Sequence, residues 1–362
     1  MNFFSAIGDG EHYFYFNMIF FILGRQYEFV FLTMAFCMNV HWITFLKMSL
    51  RHSRPQFDDK TIGIVNNSSI CSGEFGNPSG HTLMTSQQTL TALFFFKQIW
   101  AEWLRTHKWV ARLLELFVFV MIVGISSCRL YLGRHGLDQI FLGILLGTWS
   151  AFFFNGVFKK HFYDPVFTPD VDSEHPKVTA ARSLKAAKYA AIVYLAILIK
   201  MICLYIYVDT TFEIPSDWKT SLTNTCPKLK KSHTFHHFSL ACTGYVAVMP
   251  SFFLWNYLKH RDWACNGITF ESSAATLANQ STGTLALEAF IRCGLFVVVE
   301  IVGKKLPMMI YGHNDLDAFP DLVKRSVEMF LLTWVATRFT DWLRTKLYVP
   351  LTPTKKPRRH NE

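Results

Sequence analysis

Residues 74–84 read "EFGNPSGHTLM". A proline, a serine, a glycine and a histidine are crowded together just ahead of an apolar run. Helix capping accounts for Ser79, whose hydroxyl can accept from the orphan N–H groups of a first helical turn. It does not account for His81. Gly80 lets the backbone approach a ligand closely. The open N–H groups of a helix start, with the dipole behind them, form an anion site. His81 beside that anion could give or take a proton. Taken alone, the tetrapeptide is ordinary helix-start chemistry, so the surrounding chain decides how it is read.

Of the 362 residues, 51% are hydrophobic and only 17% charged, and Phe alone occurs 35 times. Soluble domains carry about 25% charged residues. The apolar runs have the length of membrane spans, for which roughly 20 mostly apolar residues are needed. The expectation is an all-α, polytopic membrane helix bundle with about nine spans. They fall near 11–24, 27–46, 80–100, 109–127, 137–157, 187–208, 236–257, 282–303 and 326–348. The net charge of +10 could suggest nucleic acid. The basic residues, however, lie in short loops and at the C-terminus, which is the positive-inside pattern of a membrane protein. Eight cysteines without a Cys-x-x-Cys spacing argue against a zinc or redox centre. The first twelve residues hold no Lys or Arg, so the first apolar run reads as a retained span rather than a cleaved signal.

Residues 158–186 are polar and divide the chain. The expected organisation is a catalytic core at 1–157, a cytosolic linker at 158–186, membrane helices at 187–348 and a basic cytosolic tail at 349–362. Arg105 and Lys108, the lysines and arginine of the linker, and the tail then share the cytosolic face. The loops at 47–79, 128–136, 209–235 and 304–325 face the lumen. Asn66-Asn67-Ser68-Ser69 offers glycosylation acceptors on that side. Cys71 and Cys226 fall in two of these lumenal loops, where a disulfide between them would persist.

Two further motifs converge on the same face. The second span ends in "LKMSLRHSRPQF", with Lys47 and Arg54 seven residues apart, about two helical turns. On that spacing they share one helical face, and Pro55 ends the helix. The fourth span runs into "SSCRLYLGRHGLDQIFLG", which brings Arg129 and His135 to the start of the fifth. Asp138 at i+3 and Gln139 at i+4 are both neighbours of His135 on a helix. Either could hold the imidazole by one nitrogen and leave the other facing a ligand. The loop between spans two and three and the loop between spans four and five must share a membrane face. Lys47, Arg54, Ser79, Gly80 and Arg129 can then surround a phosphate. His81 and His135 supply a nucleophile and a general acid, in an order these residues alone do not fix.

With these three motifs the sequence resembles the type 2 phosphatidic acid phosphatase superfamily. That signature is Lys-x6-Arg-Pro, then Pro-Ser-Gly-His, then Ser-Arg-x5-His-x3-Asp. The first two match in full. In the third, Cys128 stands where the family has serine and Gln139 where it has aspartate, with Asp138 one place early. The glucose-6-phosphatase branch is similar in carrying a glutamine four residues after the histidine. It is similar also in span number, lumenal N-terminus and basic tail.

The resemblance implies that His135 attacks phosphorus and becomes a phosphohistidine. It implies that His81 protonates the leaving oxygen and then activates water. Lys47, Arg54, Ser79, Gly80 and Arg129 would hold the phosphoryl oxygens. Asp138 joins the catalytic set as the substitute orienter of His135, with Gln139 as the alternative. No metal or cofactor is implied. The expected partners are membrane lipid and a phosphorylated small molecule or lipid, with glucose 6-phosphate first. A phosphatidate or sphingoid-base phosphate is the alternative, and the endoplasmic reticulum the expected location, with the site lumenal. A non-catalytic transporter is the competing class, because Lys200, Glu288, Arg292 and Glu300 fall inside apolar runs.

Overall fold

In the computed structural model, residues 10–23, 25–58, 73–167, 176–225, 234–266 and 318–348 are described, with 287, 290–292 and 294. All regular structure among them is helical. The helices are α1 (Gly10–Ile22), α2 (Gln26–Leu50), α3 (Pro55–Asp58), α4 (Gly80–Ile99), α5 (Ala101–Thr106), α6 (Lys108–Tyr131) and α7 (Leu137–Phe152). α7 runs on as a π-helical segment, Phe153–Tyr163, into α8 (Asp164–Phe167). Then follow α9 (Pro176–Thr211), α10 (Ser216–Thr225), α11 (Phe235–Cys242), α12 (Val248–Asn266) and α13 (Ala318–Tyr348).

Five segments are long and apolar enough to cross a membrane: Gln26–Asp58, Lys108–Tyr131, Leu137–Phe167, Lys177–Thr211 and Phe235–Asp262. They correspond to the second, fourth, fifth, sixth and seventh expected spans. α4 and α13 coincide with the third and ninth but carry more polar residues. α1, with 13 residues, matches the first and is shorter than the roughly 20 residues of a lone span. The eighth expected span, the glycosylation acceptors, the 349–362 tail, Cys71 and Cys226 lie wholly or mostly outside the described residues.

α2 is the central post. Phe29, Val30, Phe31, Leu32, Met34, Ala35 and Cys37 are all buried, so helices surround it. The outer helices turn apolar residues outward, as a lipid-facing surface requires. Leu116, Phe117 and Phe119 of α6 and Ile192, Leu195 and Ile199 of α9 are exposed in this way. α4 has the opposite character. Thr82, Thr85, Ser86, Gln87, Gln88 and Thr91 are all buried, and a membrane bundle can satisfy such groups internally. Tyr13 bonds Thr85 through their hydroxyls at 2.5 Å, and Gln88 Nε2 donates to Leu32 O at 3.4 Å.

The contact between α4 and α7 positions the site. A Cβ at Gly143 would meet Ser79 O at 2.9 Å, and one at Gly147 would meet Leu83 O at 2.4 Å. Two glycines four apart thus let α7 lie against the α4 backbone, the small-residue packing typical of membrane helices. The helices start together, since Ser79 N donates to Gln139 O at 3.0 Å.

The back half packs over the same end. Phe57, Phe75, Leu222 and Phe235 form one buried cluster with Trp218 against it. Ser221 Oγ donates to Gln56 O at 2.8 Å, and Phe235 N donates to Gly73 O at 2.9 Å. The loops expected on one face therefore do meet. α7 and its π-helical extension continue past 157 to Tyr163, and α9 begins at Pro176, so much of the expected linker is helical. Tyr163 OH donates to Tyr27 O at 2.7 Å, and Asn256 Nδ2 donates to Val166 O at 2.8 Å, fixing this stretch to both halves.

Two of the intramembrane charges have partners. Lys200 Nζ lies 2.9 Å from His41 Nε2 and 4.0 Å from the centre of the Phe45 ring. Arg292 is buried and donates to Phe21 O at 2.7 Å. Glu288 and Glu300 are outside the described residues.

Candidate active site

The site lies where α2, α4, α6 and α7 end or begin. Lys47 occupies the last turn of α2. The helix then stops at Leu50, because Arg51 turns left-handed at φ 53° and caps it with an N–H to Lys47 O. Lys47 and Arg54 therefore do not share a helical face, contrary to the reading of their spacing. Nor does Pro55 end the helix. It opens α3, where its missing N–H is no loss. The chain leaves the helix at Arg51 and runs non-helical through Arg54, which reaches the same pocket by that route.

The two cations meet on Glu74. Lys47 Nζ is 2.7 Å from Glu74 Oε2, and Arg54 Nη2 is 3.3 Å from Oε1. The side chains of Lys47 and Arg54 are each 1% exposed. Every N–H direction of Arg54 is used. Nε donates to Glu74 O at 2.7 Å, Nη2 also reaches Phe75 O at 3.5 Å, and Nη1 donates to Arg134 O at 3.2 Å. Nη1 further lies 3.4 Å from His135 Nε2.

Gln139, rather than Asp138, holds His135. Its Oε1 is 3.0 Å from His135 Nδ1, and its Nε2 donates to Ser53 O at 2.8 Å. Gly136 N also approaches Oε1, at 3.4 Å. The tautomer follows from these partners. A backbone carbonyl only accepts, so the amide NH2 of Gln139 must face Ser53 and its oxygen must face the imidazole. Nδ1 then carries the hydrogen. Nε2 keeps its lone pair, which suits Arg54, since a guanidinium only donates. Burial pushes the His135 pKa well below its ordinary value, and Arg54, Arg129 and Lys47 push it the same way, against the Gln139 bond. His135 is thus a neutral imidazole whose Nε2 lone pair faces Arg54, with Arg129 and Lys47 also near.

Asp138 is exposed on the first turn of α7, its carboxylate over Gly136. His135 precedes the N-cap Gly136 and so lies off the helix; Asp138 faces outward at the positive end of the dipole, while Gln139 is buried against the ring. The glutamine fits only because residue 76 is glycine. A Cβ there would stand 2.3 Å from Ser53 O and 2.7 Å from Gln139 Nε2.

The second motif stands as expected in place but not in detail. Ser79 has the extended backbone of an N-cap yet makes no side-chain capping bond. Its hydroxyl is 3.1 Å from Thr82 Oγ1 instead. Gly80 opens α4, and a Cβ there would stand 3.7 Å from Lys47 Nζ, so the ammonium lies at the helix start. His81 is half-buried in the first turn and acts electrostatically on Glu74. Arg129 is buried in the last turn of α6. Gly133, at φ 62°, supplies the left-handed turn after it, and His135 follows.

Sequence reasoning missed Glu74 and Arg134. Arg134 is buried, and its Nη1 donates to Gln56 Oε1 at 2.7 Å. Its carbonyl steadies Arg54. The only available signal was the position of Glu74, a charged residue four places before Pro78. Among the described residues, Asp209, His236 and His237 are near enough together to hold a cation. None of them belongs to this pocket, and His236 Nε2 is bonded to Asp209 at 2.9 Å.

A helical bundle with five segments apolar enough to cross a membrane defines the class of integral membrane proteins, and here a buried histidine and three cations lie together at one end of it. Residues 27–163 match the family model of the PAP2 superfamily. No curated protein and no solved structure matches it. The matched family is one of phosphatases, so the match points to chemistry on a phosphorylated molecule.

Proposed function

We propose that the protein hydrolyses a phosphomonoester through a phosphohistidine, without a metal. The observation that carries this is the tautomer of His135, whose Nε2 lone pair is aimed into a pocket of buried cations. Nε2 attacks phosphorus, an N–P bond forms, and the bond to the leaving oxygen breaks. His81 gives that oxygen a proton. The imidazole cannot drift, because Gln139 fixes its other nitrogen. Lys47, Arg54, Arg129 and the α4 N-terminus at Ser79-Gly80 balance charge on the three phosphoryl oxygens, which is where most of the rate gain of such sites arises. Water, activated by His81, then attacks phosphorus and frees phosphate and Nε2.

For the leaving group we infer a polyol, with glucose 6-phosphate as the first substrate. A cleft of about 460 Å³ opens beside Gln139, on the Nδ1 side of His135, and is lined by Arg51, His52, Ser53, Pro55, Asp58, Gly136, Asp138 and Gln139. Six of these eight offer polar side chains, which suit hydroxyl groups better than acyl chains. In this reading the front half of the chain is the catalytic core, the back half braces it, and the site faces the lumen of the endoplasmic reticulum. Purified protein in detergent is tested for phosphate release from glucose 6-phosphate, phosphatidate and a sphingoid-base phosphate, with and without vanadate. Preference for a lipid substrate refutes the polyol reading, and no release from any refutes the hydrolase.

A further inference from the structure

The pocket already holds an anion. Glu74 sends Oε2 to Lys47 at 2.7 Å and Oε1 to Arg54 at 3.3 Å, so its two oxygens bridge the two cations as two phosphoryl oxygens would. Lys47 Nζ lies at the start of α4, so the carboxylate also sits before the helix end. His81 acts on the same carboxylate. Of the groups assigned to the phosphoryl oxygens, Lys47 and Arg54 are thus both engaged by Glu74.

Arg54 shows which contacts can be exchanged. Its bonds to the carbonyls of Glu74 and Arg134 hold the chain, at 2.7 and 3.2 Å. Its contact to the Phe75 carbonyl is longer, at 3.5 Å, and its contacts to the side-chain atoms Glu74 Oε1 and His135 Nε2 stand at 3.3 and 3.4 Å. A phosphoryl group in line with Nε2 needs the donors that now make those two contacts.

We propose that Glu74 is an internal ligand of the phosphoryl pocket, and that substrate phosphate binds by exchange with its carboxylate. This rests on the reading of the pocket as a phosphoryl site. Glu74 is then a positioning residue. In the resting protein it keeps Lys47 and Arg54 aligned and balances part of their charge, and on binding it withdraws while its backbone carbonyl stays on Arg54. Burial alone would raise its pKa, but Lys47 and Arg54 outweigh burial and hold the carboxyl below the usual carboxylate range, so the competitor is charged at neutral pH.

The probe is orthovanadate, with binding measured calorimetrically on wild-type, Glu74→Gln and His135→Ala protein in nanodiscs. Exchange predicts that Glu74→Gln binds vanadate roughly ten- to a hundredfold more tightly, the range for removing one competing charge-assisted contact. KM for substrate falls in parallel, and kcat changes less. Equal or weaker binding by Glu74→Gln overturns the exchange and leaves Glu74 as a permanent counter-ion. Failure of vanadate to bind wild type overturns the phosphoryl pocket, and the exchange with it. A second measurement needs no variant. Carbodiimide labelling of Glu74 in wild type, read by peptide mass spectrometry, rises when vanadate saturates the pocket. Labelling that stays level or falls places the carboxylate still on its cations and overturns the exchange.

Discussion

Replacing Gln139 with alanine separates the two candidates for orienting His135. Three contacts are lost: the 3.0 Å bond to His135 Nδ1, the 2.8 Å bond to Ser53 O and the 3.4 Å approach of Gly136 N. The imidazole is then free to rotate and to move its hydrogen to Nε2, the atom that must attack. Loss of an orienting partner of this kind costs about 10- to 100-fold in rate, and loss of the correct tautomer of a catalytic histidine can cost more. A fall in kcat of about 10² is expected, with KM rising as far as Gln139 also lines the cleft assigned to the polyol. Stability falls as well, because the Ser53 carbonyl and the His135 N–H lose their partner, at about 1–3 kcal/mol each if water does not replace it. Asp138→Asn, by contrast, leaves the partner of His135 in place and keeps kcat within about threefold, any loss falling on KM because Asp138 lines the cleft. The assay is steady-state phosphate release by both variants, with thermal unfolding in detergent alongside. A larger loss in Asp138→Asn than in Gln139→Ala refutes the assignment of the orienter and, with it, the derived tautomer.

Three other outcomes are expected. His135→Ala yields no turnover and no acid-labile phosphoenzyme from radiolabelled substrate, whereas His81→Ala still traps phosphate when the leaving group is good; an active His135→Ala protein rules out the nucleophile. The folded-state pKa of His135 lies below its unfolded value of about 6.5, so the unfolded chain takes up a proton first as pH falls. Its contribution to stability is thus complete above pH 6.5 and lost below. Wild type should therefore lose about 1 kcal/mol more than His135→Asn between pH 7 and 5.5, and identical losses, read as unfolding midpoints, contradict a depressed pKa. Gly147→Val sets a side chain against Leu83 O, where a Cβ already stands at 2.4 Å, and should destabilise by about 1–3 kcal/mol as overpacking does. A variant that melts like wild type would show that α4 and α7 separate at little cost.

The helices were legible because apolar runs of span length report burial in lipid, and lipid fixes the secondary structure. α4 was legible in spite of its polar residues, through the Pro78-Ser79-Gly80-His81 start and its length. The four cationic and histidine positions of the first and third motifs were legible from spacing and membrane parity. The route by which Arg54 arrives was not, since Arg51 leaves the helix through a left-handed residue that no periodicity announces. Asp138 and Gln139 are one residue apart, and which of them meets His135 depends on the Ser53 carbonyl, 86 positions away in the chain. Glu74 reads as a loop acid, because its role comes only from side chains of the preceding helix and turn. Long-range pairing of this kind leaves no local pattern.

The seam over the site has a consequence for how the protein could be cut. The family segment ends at residue 163, but Trp218, Ser221, Leu222 and Phe235 roof the end of the bundle where Arg54 and Glu74 meet. The limits of an inherited segment are therefore not those of an autonomous folding unit here. A fragment ending at 163 would leave Phe57 and Phe75 bare to water, and the Gln56 and Gly73 carbonyls without their donors. Two separately expressed pieces, split after Tyr163, should recover the site only when they are made together in one membrane.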